Sequence, residues 1–105
     1  MNNDNDWKLN LKHGKLTTPY KHYTITADGI AQNIAEGFSC PDGKAYIGMK
    51  VWASSSEEAI DMVQSIGADI GFTVTGTINI YNTDPEEPPS ENPSAYGINF
   101  HSYNE

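Results

Sequence analysis

Hydrophobic and polar positions alternate most clearly between residues 45 and 54. Ala45, Ile47, Met49, Val51 and Ala53 share one register, and Tyr46, Gly48, Lys50, Trp52 and Ser54 the other. Successive side chains point to opposite faces of a strand, so this stretch reads as a strand with one wholly apolar face. Its other face is aromatic and cationic, and is either covered by a second layer or used. The period then changes. Ser54-Ser55-Ser56-Glu57-Glu58 fits a capping box, as Ser54 with Glu57 or Ser55 with Glu58, where each side chain satisfies an orphan backbone N–H. The acidic pair also sits where the helix dipole is positive. Ala59, Ile60, Val63, Ile66, Gly67 and Ile70 recur at three- and four-residue spacing, and Gly71 closes the segment. The spacing predicts a helix over about 55–70.

Alternation returns after it. Phe72, Val74, Gly76, Ile78 and Ile80 face one way, and Thr73, Thr75, Thr77, Asn79 and Tyr81 the other. That is a half-buried strand rich in β-branched residues. Upstream, residues 20–27 read as a strand with Tyr23, Ile25 and Ala27 on one face and His22, Thr24 and Thr26 on the other. Trp7, Leu9 and Leu11 alternate with polar residues and suggest a short edge strand before a turn at His13-Gly14-Lys15. Residues 29–38 fit two readings: a short helix capped by Asp28 and stopped at Gly37, or a strand continuing past a bulge at Gly29. Cys40-Pro41-Asp42-Gly43 is a turn. A last strand places Tyr96, Ile98 and Phe100 on one face, with Asn99, His101 and Tyr103 nearby or opposite.

Between the last two strands, residues 84–93 hold four Pro and four carboxylates in ten positions. Such a segment is stiff, extended and negative. It separates two strands rather than two domains, because the twelve residues after it cannot form a core alone. The fold class is therefore α+β in one domain of 105 residues. It has a four- to five-stranded, mostly antiparallel sheet and one main helix packed on one face. Residues 1–6 are polar and expected to fray.

Charge changes this picture more than bulk composition does. The formal net charge is −8, from 14 carboxylates against 6 Lys, with no Arg. All six Lys lie before residue 51, while residues 51–105 carry nine carboxylates and no Lys. Phosphate contacts rely on Arg and Lys, so direct nucleic-acid binding is not expected. A negative second half suits a basic partner, or serves solubility alone. Nothing apolar follows Met1, and no apolar run approaches the about 20 residues of a membrane span. The single Cys40 excludes an intramolecular disulfide framework and suits a reducing cytosol. These features point to a cytoplasmic protein of bacterial type.

Candidate chemistry is sparse. His13, His22, His101 and Cys40 are metal-ligand types, but their spacing matches no ligand motif and no metal is assigned. Cys40 lies in no catalytic cysteine signature. Asp42 and the group Glu57, Glu58 and Asp61 are explained by a turn and a helix start. Gly67, Gly71 and Gly76 follow a helix, where a phosphate-binding loop precedes one. No catalytic residue and no cofactor is assigned. Two surfaces remain as partner-binding candidates. One is the loop carboxylates Asp84, Glu86, Glu87 and Glu91, which lose little entropy on docking if the prolines hold them stiff. The other is the aromatic pair Tyr46 and Trp52, unless the N-terminal segment with Trp7 covers it.

Several phrases resemble a group of uncharacterised small bacterial proteins of the kind carried on mobile elements such as integron gene cassettes. They are His13-Gly14-Lys15-Leu16, Thr18-Pro19-Tyr20, Gly48 to Ser54, Gly71 to Gly76 and Pro88 to Pro93. The resemblance implies no activity and carries over no site residue. The expected function is a non-enzymatic acidic protein-binding module, inhibitor- or immunity-like, docking on a basic protein. The alternative is a small-molecule-binding domain or minor enzyme with an aromatic pocket around Tyr46 and Trp52, which His22 would extend. A homodimer through the aromatic face is a third arrangement.

Overall fold

The structure, a computed structural model, describes residues 6–103. Its elements run α1 (Asp6–Lys12), β1 (Lys21–Ala31), β2 (Gly43–Ala53), α2 (Ser56–Ile70), β3 (Phe72–Asn82) and β4 (Ser94–Ser102). The four strands form one sheet in the order β3-β1-β2-β4. Every pairing is antiparallel. β2 and β3 both oppose β1, so they run parallel to each other with β1 between them, and α2 makes the crossover. The fold is α+β, with α2 packed on one face of the sheet.

The alternation read from β1, β2 and β3 is the one that the structure buries. Tyr23, Ile25 and Ala27 pair side by side with Val51, Met49 and Ile47. Ala59 and Val63 of α2 and Phe72 of β3 complete this core. Ile25, Ile47, Val51, Val63 and Phe72 are 0% exposed. Each such side chain contributes about 1.5–3 kcal/mol relative to leaving it in water.

Residues 29–38 follow the strand reading only as far as Ala31. Asp28 cannot cap a helix there because it lies inside β1. The β1–β3 register shifts between Ala27 and Gly29. Any side chain at Gly29 would collide with the Thr73 carbonyl oxygen and the Phe72 ring, which is why the bulge carries glycine. Residues 32–38 then leave the sheet as a loop tied to the end of α2. Gln32 N donates to Gly71 O at 2.9 Å and Ala35 N to Ile70 O at 2.8 Å. The end of a helix cannot satisfy its own last carbonyls, and this loop does so instead.

Two expectations need correction, and a third is only partly within the described residues. Residues 7–11 form part of α1 rather than an edge strand. No residue of α1 is buried, so the alternation of Trp7, Leu9 and Leu11 marks no buried face. The start expected to fray divides: residues 1–5 lie outside the described residues, and Asp6 opens α1. Tyr96 does not share a face with Ile98 and Phe100. The β2–β4 register shifts at Gly48/Lys50, opposite Gly97 with φ 63°. The bulge turns Tyr96 onto the face of Asn99 and His101, while Phe100 keeps to the core beside Ile47.

The ends of α2 are closed as the capping pattern requires. Ser55 is the N-cap and accepts from Glu58 N at 3.1 Å. The Glu58 carboxylate reaches back to Ser54 N at 2.7 Å and Ser54 Oγ at 2.8 Å. The bond from the Ser54 backbone, then that from its hydroxyl, holds the Glu58 carboxyl below its ordinary range. At the other end Gly71 has φ 119°, and a Cβ there would stand 2.7 Å from Gln32 O. Ser55→Ala should cost about 1 kcal/mol in urea unfolding. Gly71→Ala should cost more, about 1–3 kcal/mol from its backbone conformation alone.

Candidate functional site

β3 and β4 are the two edges of the sheet, so the Pro-rich segment is not a hairpin connection. It has to cross three strand spacings, roughly 14 Å. It does so over the face opposite α2, above the end of the sheet where His22, Trp52 and Tyr96 project. The indole of Trp52 donates from Nε1 to Glu87 O at 2.9 Å. The Tyr96 hydroxyl accepts from Glu86 N at 2.9 Å and Glu87 N at 3.3 Å. Tyr20 Oη donates to Glu91 O at 3.0 Å. Four loop peptide groups are thereby held from below. The loop thus lies over Trp52.

His22 organises the same cluster from the centre of the sheet. It is 6% exposed and packs edge-on against Trp52, with ring centroids 5.0 Å apart. Its Nδ1 lies 3.0 Å from Thr83 O, a carbonyl that can only accept. Nδ1 therefore carries the proton, and the unprotonated Nε2 accepts from Tyr96 Oη at 2.7 Å. Burial pushes the His22 pKa down, against the smaller opposing pull of the Thr83 carbonyl. Thr24 Oγ1 at 2.8 Å from Thr83 Oγ1 ties the residue before the loop to β1 as well. The neutral ring thus connects β1, the start of the loop and β4.

With its backbone occupied below, the loop turns its carboxylates outward. Asp84, Glu86, Glu87 and Glu91 are all exposed. The Glu86 carboxylate lies 3.8 Å from Lys50 Nζ, in a pair whose side chains stay 68% and 30% exposed. Such a pair adds little to stability. Asp84 and Pro85 face Lys8, Leu11 and Lys12 of α1 across a groove of about 460 Å³. The two lysines bound the acidic surface on that side.

The structure does not bring Tyr46 and Trp52 together. They sit six residues apart on one strand face, roughly 20 Å along β2. Trp52 is 3% exposed beneath the loop. Tyr46 stacks on His101 at 4.8 Å and leans on Tyr103 at 5.6 Å, towards the other end of the sheet. His13, His22, His101 and Cys40 are likewise dispersed: His13 follows α1, His22 lies under the loop and His101 is on β4. Cys40 packs against the core, where burial and then the Asp42 carboxylate push its thiol up. Glu57, Glu58 and Asp61 lie in the first turns of α2.

Sequence reasoning missed Tyr20, Thr83 and Tyr96 as the anchors of the loop. The available signal was Tyr96, three residues beyond the proline-rich segment, because a Tyr hydroxyl under a loop seeks a backbone partner; nothing in the sequence pointed to Tyr20. No family model, curated protein or solved structure matches the chain. Among the described residues, no helix is long and apolar enough to cross a membrane.

Tyr96→Phe should remove the hydroxyl from His22 and both loop amides. We expect a loss of about 1–3 kcal/mol in urea unfolding and faster exchange of the Trp52 indole proton. Protonation of His22 costs more folded than unfolded, so stability from the cluster is present above its ordinary pKa of 6.5 and falls as pH drops below it. Following the Trp52 indole proton by NMR from neutral to mildly acidic pH checks this, with His22→Gln as the reference that lacks the titrating group.

Proposed function

We propose that the protein is a cytoplasmic, non-enzymatic, acidic binding module that docks on a basic protein, in the manner of an inhibitor or immunity protein. Its origin among the small proteins carried on bacterial mobile elements is part of the same proposal. The observation that carries it is the loop with its peptide groups bonded from below and its four carboxylates facing solvent. A charged surface already ordered in the free protein loses little conformational entropy on association. Clustered negative charge steers a basic partner towards it and sets its orientation on arrival. The formal net charge of −8 adds to that attraction at long range. The reading of a small-molecule pocket spanning Tyr46 and Trp52 has less support, because the loop stands over Trp52.

The triple variant Glu86→Gln, Glu87→Gln and Glu91→Gln keeps every backbone bond described above and removes three charges. The immobilised protein should retain a basic protein from a bacterial lysate at low salt and release it as salt screens the surface. The triple variant should retain several-fold less while unfolding at the same urea concentration. Equal retention by the two proteins would sink the proposal.

A further inference from the structure

Beyond the loop, the face opposite α2 is open. Thr26 and Asp28 of β1, Tyr46 of β2, Thr77 and Asn79 of β3, and Tyr103 line a depression of about 260 Å³. That is below the roughly 300–1,000 Å³ of pockets that engulf a drug-sized ligand, and suits a single side chain. Asp28 is the centre of it. The β1–β3 register changes on either side of this residue, so β3 bulges around it. A Cβ at Gly76 would stand 3.0 Å from Asp28 Cβ. Bulges of this kind re-aim a side chain. The glycine here lets the carboxylate lie between the strands.

Tyr103 reaches the carboxylate from beyond β4, crossing β2 to donate its hydroxyl to Asp28 Oδ1 at 2.6 Å. That bond, ahead of burial and the negative charge, pushes the Tyr103 pKa up. The ring is 56% exposed and leans on Tyr46, which stacks in turn on His101. Among the described residues, Asp28 Oδ2 has no hydrogen-bond partner, and no lysine lies within ion-pair distance of Asp28. Among the described residues, the depression therefore presents one unbonded carboxylate oxygen beside a pair of tyrosine rings that lean on each other, with Thr26, Thr77 and Asn79 adding further oxygens. A neighbouring depression of about 280 Å³ shares Asp28 and Tyr103 but is also lined by Lys44. Its lysine disfavours a cation there and leaves the Tyr46 side as the cationic site.

We propose that this depression is an anchor for an arginine side chain of the partner. A guanidinium has five N–H donors in one plane and stacks on aromatic rings. The lining offers an aromatic wall, a charged acceptor and several neutral acceptors, and the whole protein is anionic. The inference deepens the proposed function, naming what a basic partner inserts on the same sheet face as the acidic loop. It rests on that reading for the partner, but the site is tested without one.

The full chain, labelled with nitrogen-15, is titrated with N-acetyl-L-arginine methylamide. Saturable shifts are expected at the amides of Asp28, Thr77 and Asn79. They should be lost in Asp28→Asn, which keeps an acceptor for Tyr103 and removes only the charge. They should persist in the Glu86/Glu87/Glu91 triple Gln variant, so a failed partner capture and a failed arginine site can be told apart. Absence of saturable shifts overturns the proposal, as does an unchanged response in Asp28→Asn. So does a stronger response of the same amides to N-acetyl-L-lysine methylamide or to methyl glucoside.

Discussion

The Tyr96 hydroxyl joins three things that the chain brings from far apart: a buried histidine of β1, two peptide groups of the crossing loop, and the start of β4. It donates to His22 Nε2 at 2.7 Å and accepts from Glu86 N at 2.9 Å. Donor and acceptor roles on one oxygen are only compatible while the imidazole is neutral, and burial keeps it so. Everything above this point depends on that arrangement. The loop is held low across the sheet, Trp52 is enclosed, and the carboxylates have nowhere to go but outward.

The need for such a clamp comes from topology. With β1 and β2 at the centre and β3 and β4 at the edges, the β3–β4 connection has to pass over one face. α2 already occupies the apolar face, so the connection takes the other. Prolines suit that task, since an extended segment without internal hydrogen bonds must find its partners elsewhere. Trp52, Tyr96 and Tyr20 supply them at Glu87, Glu86 and Glu91. The same face is then divided. One end lies beneath the loop, and the other carries Tyr46, His101, Tyr103 and Asp28 in the open.

Much of the fold was legible because burial leaves a period in the residues themselves. Ala45 to Ala53 and Phe72 to Ile80 show period two, and Ser55 to Gly71 shows a capped helix with a 3.6-residue stripe. Where no face is buried, the pattern has no cause and misleads, as at Trp7 to Leu11, where α1 buries nothing. The bulge at Gly97, unlike the one at Gly29, also escaped, since one residue there reverses the facing of Tyr96. The candidate site was half visible. The carboxylates and prolines of 84–93 stood out as composition, and the anchors beneath them did not.

What the sequence by itself determined is therefore the local and the cumulative. It set the strands and the main helix, because propensity and burial act residue by residue, and the acidic second half, because charge is a sum. What only the tertiary structure decided is which residues meet. Tyr20 joins Glu91, His22 joins Tyr96, and Tyr103 joins Asp28 across separations of 71, 74 and 75 residues. Such bonds have no period and no fixed spacing. They form because strand order places their backbones within reach, and strand order is a property of the whole sheet.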